Sequence, residues 1–126
     1  MDANEMIDIC KQHTMYTWSA GEKVNPIPVE RAEGIYFYEP GGKRYLDFNS
    51  QLMSVNIGHS HPRVVEAMKA QADKLIYSFP GTATKERAEL AQLLVKHLPG
   101  DLDAVLFTLA GAEANENAVR AARLFP

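Results

Sequence analysis

The chain has 126 residues, of which 46% are hydrophobic and 23% charged, as in ordinary soluble globular proteins. Its net charge of −3 gives no electrostatic reason to expect nucleic acid, and no apolar run approaches the roughly 20 residues needed to cross a membrane. The single cysteine, Cys10, excludes an internal disulfide, and the acidic N-terminus lacks the regions of a signal peptide. We therefore expect a cytoplasmic protein.

The first half of the sequence predicts a short helix, an aromatic loop and a small antiparallel meander. The helix covers residues 4–12, and the loop at 13–20 is rich in aromatic residues and poor in charge. Strands are expected at 29–32, 35–39 and 43–48, after an extended proline-containing linker. Residues 49–57 mix polar and apolar side chains without a clear period, which suits either a partly buried binding surface or an exposed loop.

Two amphipathic helices follow. The first begins at Pro62, a residue suited to a first helical turn, with Ser60 or His61 before it. The second begins after Thr84, a typical capping residue, and ends near residue 99. Its expected buried face consists of Leu90, Leu93, Leu94 and Leu98.

His59 and His61 form a His-x-His pair just before the first of these helices. A metal site is one interpretation, but two histidines without a third ligand nearby are weak support for it. We favour a structural role for both, with ring nitrogens hydrogen-bonded to backbone, and expect no metal site.

The end of the chain predicts a strand, a small-residue turn and a helix. Residues 105–109 form an apolar run typical of a buried strand, and Ala110, Gly111 and Ala112 form the turn. The helix continues from Glu113. Such a turn leaves backbone N–H groups free at a helix start, where a phosphate binds well. The alternative is a turn whose glycine only provides backbone freedom, and the charge of Glu113 would oppose a phosphate beside it.

No arrangement typical of nucleophilic or acid–base catalysis stands out, and we assign no catalytic residue. A Schiff-base lysine needs desolvation or a cationic neighbour to lower its pKa. The seven lysines all fall on predicted polar faces, turns or loops, which favours solvated charge: Lys11, Lys23, Lys43, Lys69, Lys74, Lys85 and Lys96.

Four stretches together resemble class III aminotransferases, the pyridoxal-phosphate enzymes related to ω-amino-acid–pyruvate transaminases. The stretches read AEGIY at 32–36, GKRYLDF at 42–48, GHSHP at 58–62 and GAEANE at 111–116. Their order and spacing resemble the family along nearly the whole chain. The stretches at 16–18 and 49–53 look most like the taurine–pyruvate-like branch.

The resemblance implies an α/β enzyme of fold type I and a homodimer with active sites at the subunit interface. Residues 1–100 would belong to the small N-terminal domain and 101–126 to the start of the large pyridoxal-phosphate-binding domain. The family's Schiff-base lysine, the aspartate facing the pyridine nitrogen and the ring-stacking aromatic residue would all lie beyond residue 126. We therefore expect the chain alone to be inactive.

The resemblance also implies site residues. Ala110, Gly111 and Ala112 would hold the phosphate of pyridoxal 5'-phosphate, while Trp18, Met53 and Phe79 match positions that line the substrate pocket in relatives. Alanine stands where relatives usually have glycine, serine or threonine in the turn, so the absence of a hydroxyl predicts a lower phosphate affinity.

The function implied is transfer of an amino group from an ω-amino acid or related primary amine to pyruvate or another 2-oxo acid, without nucleic-acid or membrane partners. The alternative is a non-catalytic fragment or interaction module that pairs with a full-length relative. An exposed apolar face on the helix at 112–124 would favour that alternative.

Overall fold

The structure is a computed structural model that describes residues 1–125, and it consists of two compact units, Met1–Ile76 and Tyr77–Pro126. The predicted division into segments 1–100 and 101–126 concerns the domains of the longer family fold, and it stays a prediction. Pro126, the last residue of the predicted segment 101–126, lies outside the described residues.

The first unit begins with helix α1 (Ala3–His13), one residue longer at each end than the sequence predicts. Asp2 caps it, because the carboxylate Oδ1 accepts a hydrogen bond from the Glu5 N–H at 2.9 Å. A 3-10 turn, Gly21–Lys23, follows the aromatic loop.

The predicted meander is present as a three-stranded antiparallel sheet in the order β1 (Arg31–Glu33), β2 (Tyr36–Tyr38) and β3 (Arg44–Leu46). The strands are shorter than predicted because the ladder pairs three residues in each. Phe37 of β2 stacks on Tyr45 of β3 with ring centroids 5.1 Å apart. Since Phe37 is the buried apolar residue of this sheet, the stacked pair forms its small core.

Hydrogen bonds join residues 59–60 to β1 and to the residue after it. Gly34 and His59 form a backbone bridge, with N–H to carbonyl distances of 3.0 and 2.8 Å. The Ser60 hydroxyl donates to the Ala32 carbonyl at 2.7 Å. Gly58 has a φ of +91°, and a Cβ there would lie 3.3 Å from the Gly34 carbonyl oxygen, so both its backbone conformation and its close contact favour glycine.

Two helical segments complete the first unit. The single turn α2 (Ser50–Met53) lies in the stretch that showed no sequence period. Helix α3 (Pro62–Lys74) begins as predicted, with His61 preceding it and Pro62 in its first turn.

The second unit contains α4 (Lys85–Val95) and α5 (Gly111–Leu124). Thr84 caps α4 as predicted, accepting a hydrogen bond from the Arg87 N–H at 3.3 Å. The predicted strand at 105–109 is wrong for this chain, because these residues form no strand. A strand needs hydrogen bonds to a neighbour, and the described part of the chain offers none beside this segment.

The predicted burial of Leu90, Leu93 and Leu94 on α4 is also wrong for this chain, whereas Leu98 is half-buried and lies beyond the helix, which ends at Val95 and not near residue 99. Leu90, Leu93 and Leu94 are 46%, 53% and 37% exposed. The pattern of apolar residues has the helical period, but no second layer of secondary structure covers that face in the described part of the second unit. The amphipathic pattern therefore indicates that the leucine face of α4 is suited to burial, although the described part of this chain leaves it exposed.

Candidate functional site

The candidate phosphate site is the start of α5. The predicted turn at 110–112 needs correction, because Gly111 and Ala112 lie in the first turn of this helix, which begins two residues before the predicted Glu113. Helix α5 begins at Gly111, and Ala110 precedes it with an extended backbone and no side-chain cap. The first hydrogen bond of the helix joins the Ala114 N–H to the Ala110 carbonyl oxygen at 3.0 Å. The N–H groups of Gly111, Ala112 and Glu113 come before it and have no acceptor within the helix. An anion placed there would also meet the positive end of the helix dipole.

The side chain of Glu113 reaches back to the residue before the helix cap, so its negative charge lies at the helix start and opposes an anion bound there. Its Oε2 atom accepts a hydrogen bond from the Leu109 N–H at 2.8 Å, on the entry side of the turn. Thr108, which the sequence reasoning missed, places its hydroxyl 3.4 Å from the Ala110 carbonyl oxygen. The Thr108 hydroxyl therefore lies beside residues 110–112, none of which carries a hydroxyl group. The signal was a threonine two residues before Ala110.

The turn fits the phosphate of pyridoxal 5'-phosphate on two grounds. A Cβ at Gly111 would meet no atom within 4 Å, so the backbone can be approached closely by a ligand. The donors are uncharged N–H groups at a helix start, which is the arrangement that phosphate groups commonly use in proteins.

The three predicted substrate residues lie in separate segments. Trp18 is in the loop after α1, is 88% exposed and has a φ of +61°. Met53 is in α2 and is 73% exposed. Phe79 is in the second unit, where its ring covers Gly81 so closely that a Cβ on Gly81 would lie 2.7 Å from Phe79 Cε1. Trp18 and Met53 thus share the first unit, whereas Phe79 belongs with Ala110, Gly111 and Ala112 in the second.

The α2 segment is a left-handed turn, a feature that sequence reasoning missed. Its four residues, Ser50, Gln51, Leu52 and Met53, have φ values of 53°, 48°, 56° and 62°. This conformation costs about 1–2 kcal/mol for each residue that is not glycine. Four such residues in a row therefore require surrounding groups that hold them in place.

The carboxylate of Asp47 and the side-chain amide of Asn49 form hydrogen bonds to the first residues of the left-handed turn. Asp47 Oδ1 accepts a hydrogen bond from the Gln51 N–H at 3.3 Å, and Asp47 Oδ2 lies 3.4 Å from Gln51 Nε2. The Asn49 side chain accepts from the Leu52 N–H at 3.4 Å. These bonds satisfy N–H groups that a left-handed turn leaves without the usual helical acceptors.

Asp47 is itself anchored by His59. The distance from His59 Nε2 to Asp47 Oδ2 is 2.7 Å, and the two side chains are only 13% and 4% exposed. The pair and Ser50 line a small cavity of about 180 Å³. His59 is in turn fixed by its backbone bridge to Gly34, so the sheet, the pair and the left-handed turn form one connected network.

The pKa of the Asp47 carboxyl is set by opposing effects. Desolvation alone would raise this pKa, because it disfavours the charged form. The hydrogen bond from His59 and those from the backbone and side chain of Gln51 favour the carboxylate and outweigh the desolvation. The net result is a pKa below the ordinary value of 3.8.

The lowered pKa of Asp47 predicts a loss of stability in acid. Its contribution is present above the ordinary pKa of 3.8 and is lost as the pH falls through the lower folded-state pKa. Replacing Asp47→Asn should flatten the fall of the thermal midpoint below pH 4. The measurement is a set of melting curves at successive pH values, with Asp73→Asn, an exposed carboxylate of α3, as the control. An unchanged acid slope in Asp47→Asn would contradict the prediction.

The interpretation of the two histidines needs correction. His59 does play a structural role, but its ring bonds to the Asp47 carboxylate and not to backbone. His61 Nδ1 is buried and has no hydrogen-bond partner in the described structure. Within residues 1–125, no three His, Cys, Asp or Glu side chains are grouped so that they could hold a metal ion.

All seven lysines are exposed in the structure. Lys43, Lys69 and Lys85, for example, have side chains that are 66%, 67% and 71% exposed. None therefore has the desolvated setting that a Schiff-base lysine needs, and the absence of a catalytic lysine here stays a prediction. No helix of the described chain is long and apolar enough to span a membrane.

Comparison with known proteins identifies the family of this chain. The family described as "Aminotransferase class-III", whose members use pyridoxal phosphate, matches residues 17–125. The chain is 36% identical to the acetylornithine aminotransferase of Methanothermobacter thermautotrophicus over 125 residues, which is 99% of this chain and 30% of that protein. It is 41% identical to the probable 4-aminobutyrate aminotransferase of Bacillus subtilis, covering 75% of this chain and 22% of the relative.

A solved structure is similar along nearly the whole chain. The taurine:2-oxoglutarate aminotransferase of Bifidobacterium kashiwanohense, in complex with PLP and glutamate, superposes with a TM-score of 0.90 at 36% identity. The match covers 98% of this chain and 28% of that one. The chain thus spans less than a third of the length of these relatives. The neighbours are transaminases of fold type I, which confirms the predicted fold class. From the family match and the shared fold, the chain belongs to the class III aminotransferases.

Proposed function

We propose that this protein transfers an amino group from an ω-amino acid or related primary amine to pyruvate or another 2-oxo acid, with pyridoxal 5'-phosphate as cofactor. The observation that carries the proposal is the start of α5. There the N–H groups of Gly111 and Ala112 have no helical acceptor, within a chain that belongs to an aminotransferase family.

In this proposal the residues of the chain bind and orient. The N–H groups of Gly111 and Ala112 hold the phosphate, and the Thr108 hydroxyl donates a hydrogen bond to the Ala110 carbonyl oxygen at the same helix start. Trp18 and Met53 are exposed apolar side chains that can contact the apolar part of an amine. When bound, the cofactor supplies an electron sink, and the protein supplies position and electrostatics.

The choice of an ω-amino donor is supported by the names of relatives. The Bacillus subtilis relative is named for 4-aminobutyrate, and the solved structure is named for taurine; both compounds carry a primary amine remote from the acid group. The solved structure is also named for 2-oxoglutarate, so the test must include that acceptor beside pyruvate. We further propose a cytoplasmic homodimer.

The test uses the protein purified from its native gene. Its intact mass is measured first, and then alanine or glutamate formation from taurine and 4-aminobutyrate, with and without added cofactor. We expect cofactor-dependent transfer from at least one donor and a mass about three to four times the 14.0 kDa of this chain. A product of 14.0 kDa without activity would contradict the proposed function.

The alternative, an interaction module that pairs with a full-length relative, is supported by one observation. On α5 and just after it, Val119, Leu124 and Phe125 are 48%, 74% and 81% exposed. An apolar face of this kind is typical of a surface covered by another part of the protein or by a partner. Light scattering of the 14.0 kDa chain mixed with a full-length class III aminotransferase tests this alternative, because unchanged masses of both proteins in the mixture would exclude the module.

A further inference from the structure

We propose that Asp47 and His59 are positioning residues for the substrate side of the site, because together they hold the left-handed turn Ser50–Met53 that carries Met53. The inference rests on the proposed function, since it assigns to Met53 a contact with the amine donor. It adds two residues whose positioning role was not visible in the sequence.

The first step is that the backbone hydrogen bonds of the turn do not by themselves account for its left-handed conformation. None of its four residues is a glycine, and all have positive φ values. The Met53 N–H donates to the Asn49 carbonyl and the Ser54 N–H donates to the Ser50 carbonyl, each at 2.9 Å, so each of these bonds joins one residue of the turn to a residue just outside it. A segment in a disfavoured conformation persists only where its surroundings hold it there.

The second step is that Asp47 is the most enclosed of the groups that hold it. Its side chain is 4% exposed and uses both oxygens, with Oδ1 on the Gln51 N–H and Oδ2 on His59 Nε2. Its own N–H donates to the Ile35 carbonyl at 2.9 Å. Hydrogen bonds therefore fix both the backbone and the side chain of Asp47, and through the Gln51 N–H the fixed carboxylate holds the turn in place.

The third step links the turn to Met53. The side chains of Leu52 and Met53 are 56% and 73% exposed, so the turn presents them outward and does not bury them in the first unit. A thioether on a strained, anchored turn has a defined starting position for contact with a ligand, which a flexible loop lacks. Asp47 and His59 touch no reacting atom in this account and act only through that turn.

The experiment measures the turn and the reaction separately, in the protein from its native gene. Hydrogen exchange is followed for the amides of residues 50–55 in Asp47→Ala, His59→Ala, Asp47→Asn and Asp73→Ala. Asp47→Ala should exchange at least about tenfold faster there, because the anchoring acceptor is lost. Asp47→Asn retains an acceptor oxygen for Gln51 and should stay near wild type, and the exposed Asp73→Ala is the matched control.

The kinetic arm uses the amine donor. Asp47→Ala should raise KM for the donor about fivefold to tenfold with kcat changed less than about twofold, because the contact is made equally in the ground and transition states. Met53→Ala should raise KM similarly without faster exchange. In the double variant the two KM effects should not add, because both remove the same contact.

The exchange and kinetic results test the role of Asp47 and His59 separately from the proposed aminotransferase function. Unchanged exchange in Asp47→Ala overturns the inference, and so does faster exchange with an unchanged KM or with additive KM effects. If the wild-type protein transfers no amino group, the proposed function fails, and hydrogen exchange in Asp47→Ala and in His59→Ala then decides whether the two residues hold the turn.

Discussion

Ala112→Asp is expected to weaken binding of pyridoxal 5'-phosphate by at least about 100-fold, because a carboxylate about 4 Å from a phosphate opposes it by several kcal/mol near a protein surface. The substitution places this charge beside the N–H groups of Gly111 and Ala112. The helix itself should persist, since an acidic residue in a first turn suits the helix dipole. The measurement is the dissociation constant of the cofactor by equilibrium dialysis.

Two controls isolate the phosphate contact. Ala112→Asn has nearly the same shape without the charge, and its affinity should fall much less. Pyridoxal, which lacks the phosphate, should bind Ala112→Asp and the wild-type protein equally. If Ala112→Asp binds pyridoxal phosphate as the wild type does, then the phosphate does not lie at the start of α5.

Gly58→Val is expected to lower the free energy of unfolding by about 3 kcal/mol, from left-handed strain and a close contact together. Gly58 has a φ of +91°, which β-branched residues strongly disfavour. Its Cβ would also lie 3.3 Å from the Gly34 carbonyl oxygen, which accepts the hydrogen bond from the His59 N–H. The substitution therefore disturbs the bridge that fixes His59.

Chemical denaturation of the protein from its native gene measures this loss. Gly21→Val is the matched control, because a Cβ at Gly21 meets nothing within 4 Å and its φ lies outside the left-handed range. The control should change stability by no more than about 1 kcal/mol. Equal losses in both variants would mean that the contact between Gly58 and Gly34 does not contribute to stability.

Local signals in the sequence were sufficient for much of the secondary structure. Pro62 and Thr84 stand at the starts of α3 and α4 as predicted, and the meander has the predicted order. Such signals depend on residues within a few positions of one another, through capping hydrogen bonds and fixed backbone angles. The small residues at 110–112 likewise predicted a helix start with free N–H groups, although the helix begins at Gly111 and not at Glu113.

The left-handed turn was beyond such reasoning. A run of Ser, Gln, Leu and Met has no glycine to mark positive φ values. The conformation is held by Asp47, which is held by His59, twelve residues along the chain. Nothing local in the sequence showed from which N–H groups the side chains of Asp47 and Asn49 would accept hydrogen bonds.

The sequence by itself determined the family, the helix starts and the small-residue turn, because each depends on residue identities or on short-range backbone chemistry. Only the tertiary structure decided that residues 105–109 form no strand in this chain and that the leucines of α4 stay half exposed, because strand pairing and burial need a neighbour. It also decided that His59 bonds Asp47 and that the pair holds the left-handed turn, because a contact between distant residues exists only once the chain has folded back on itself.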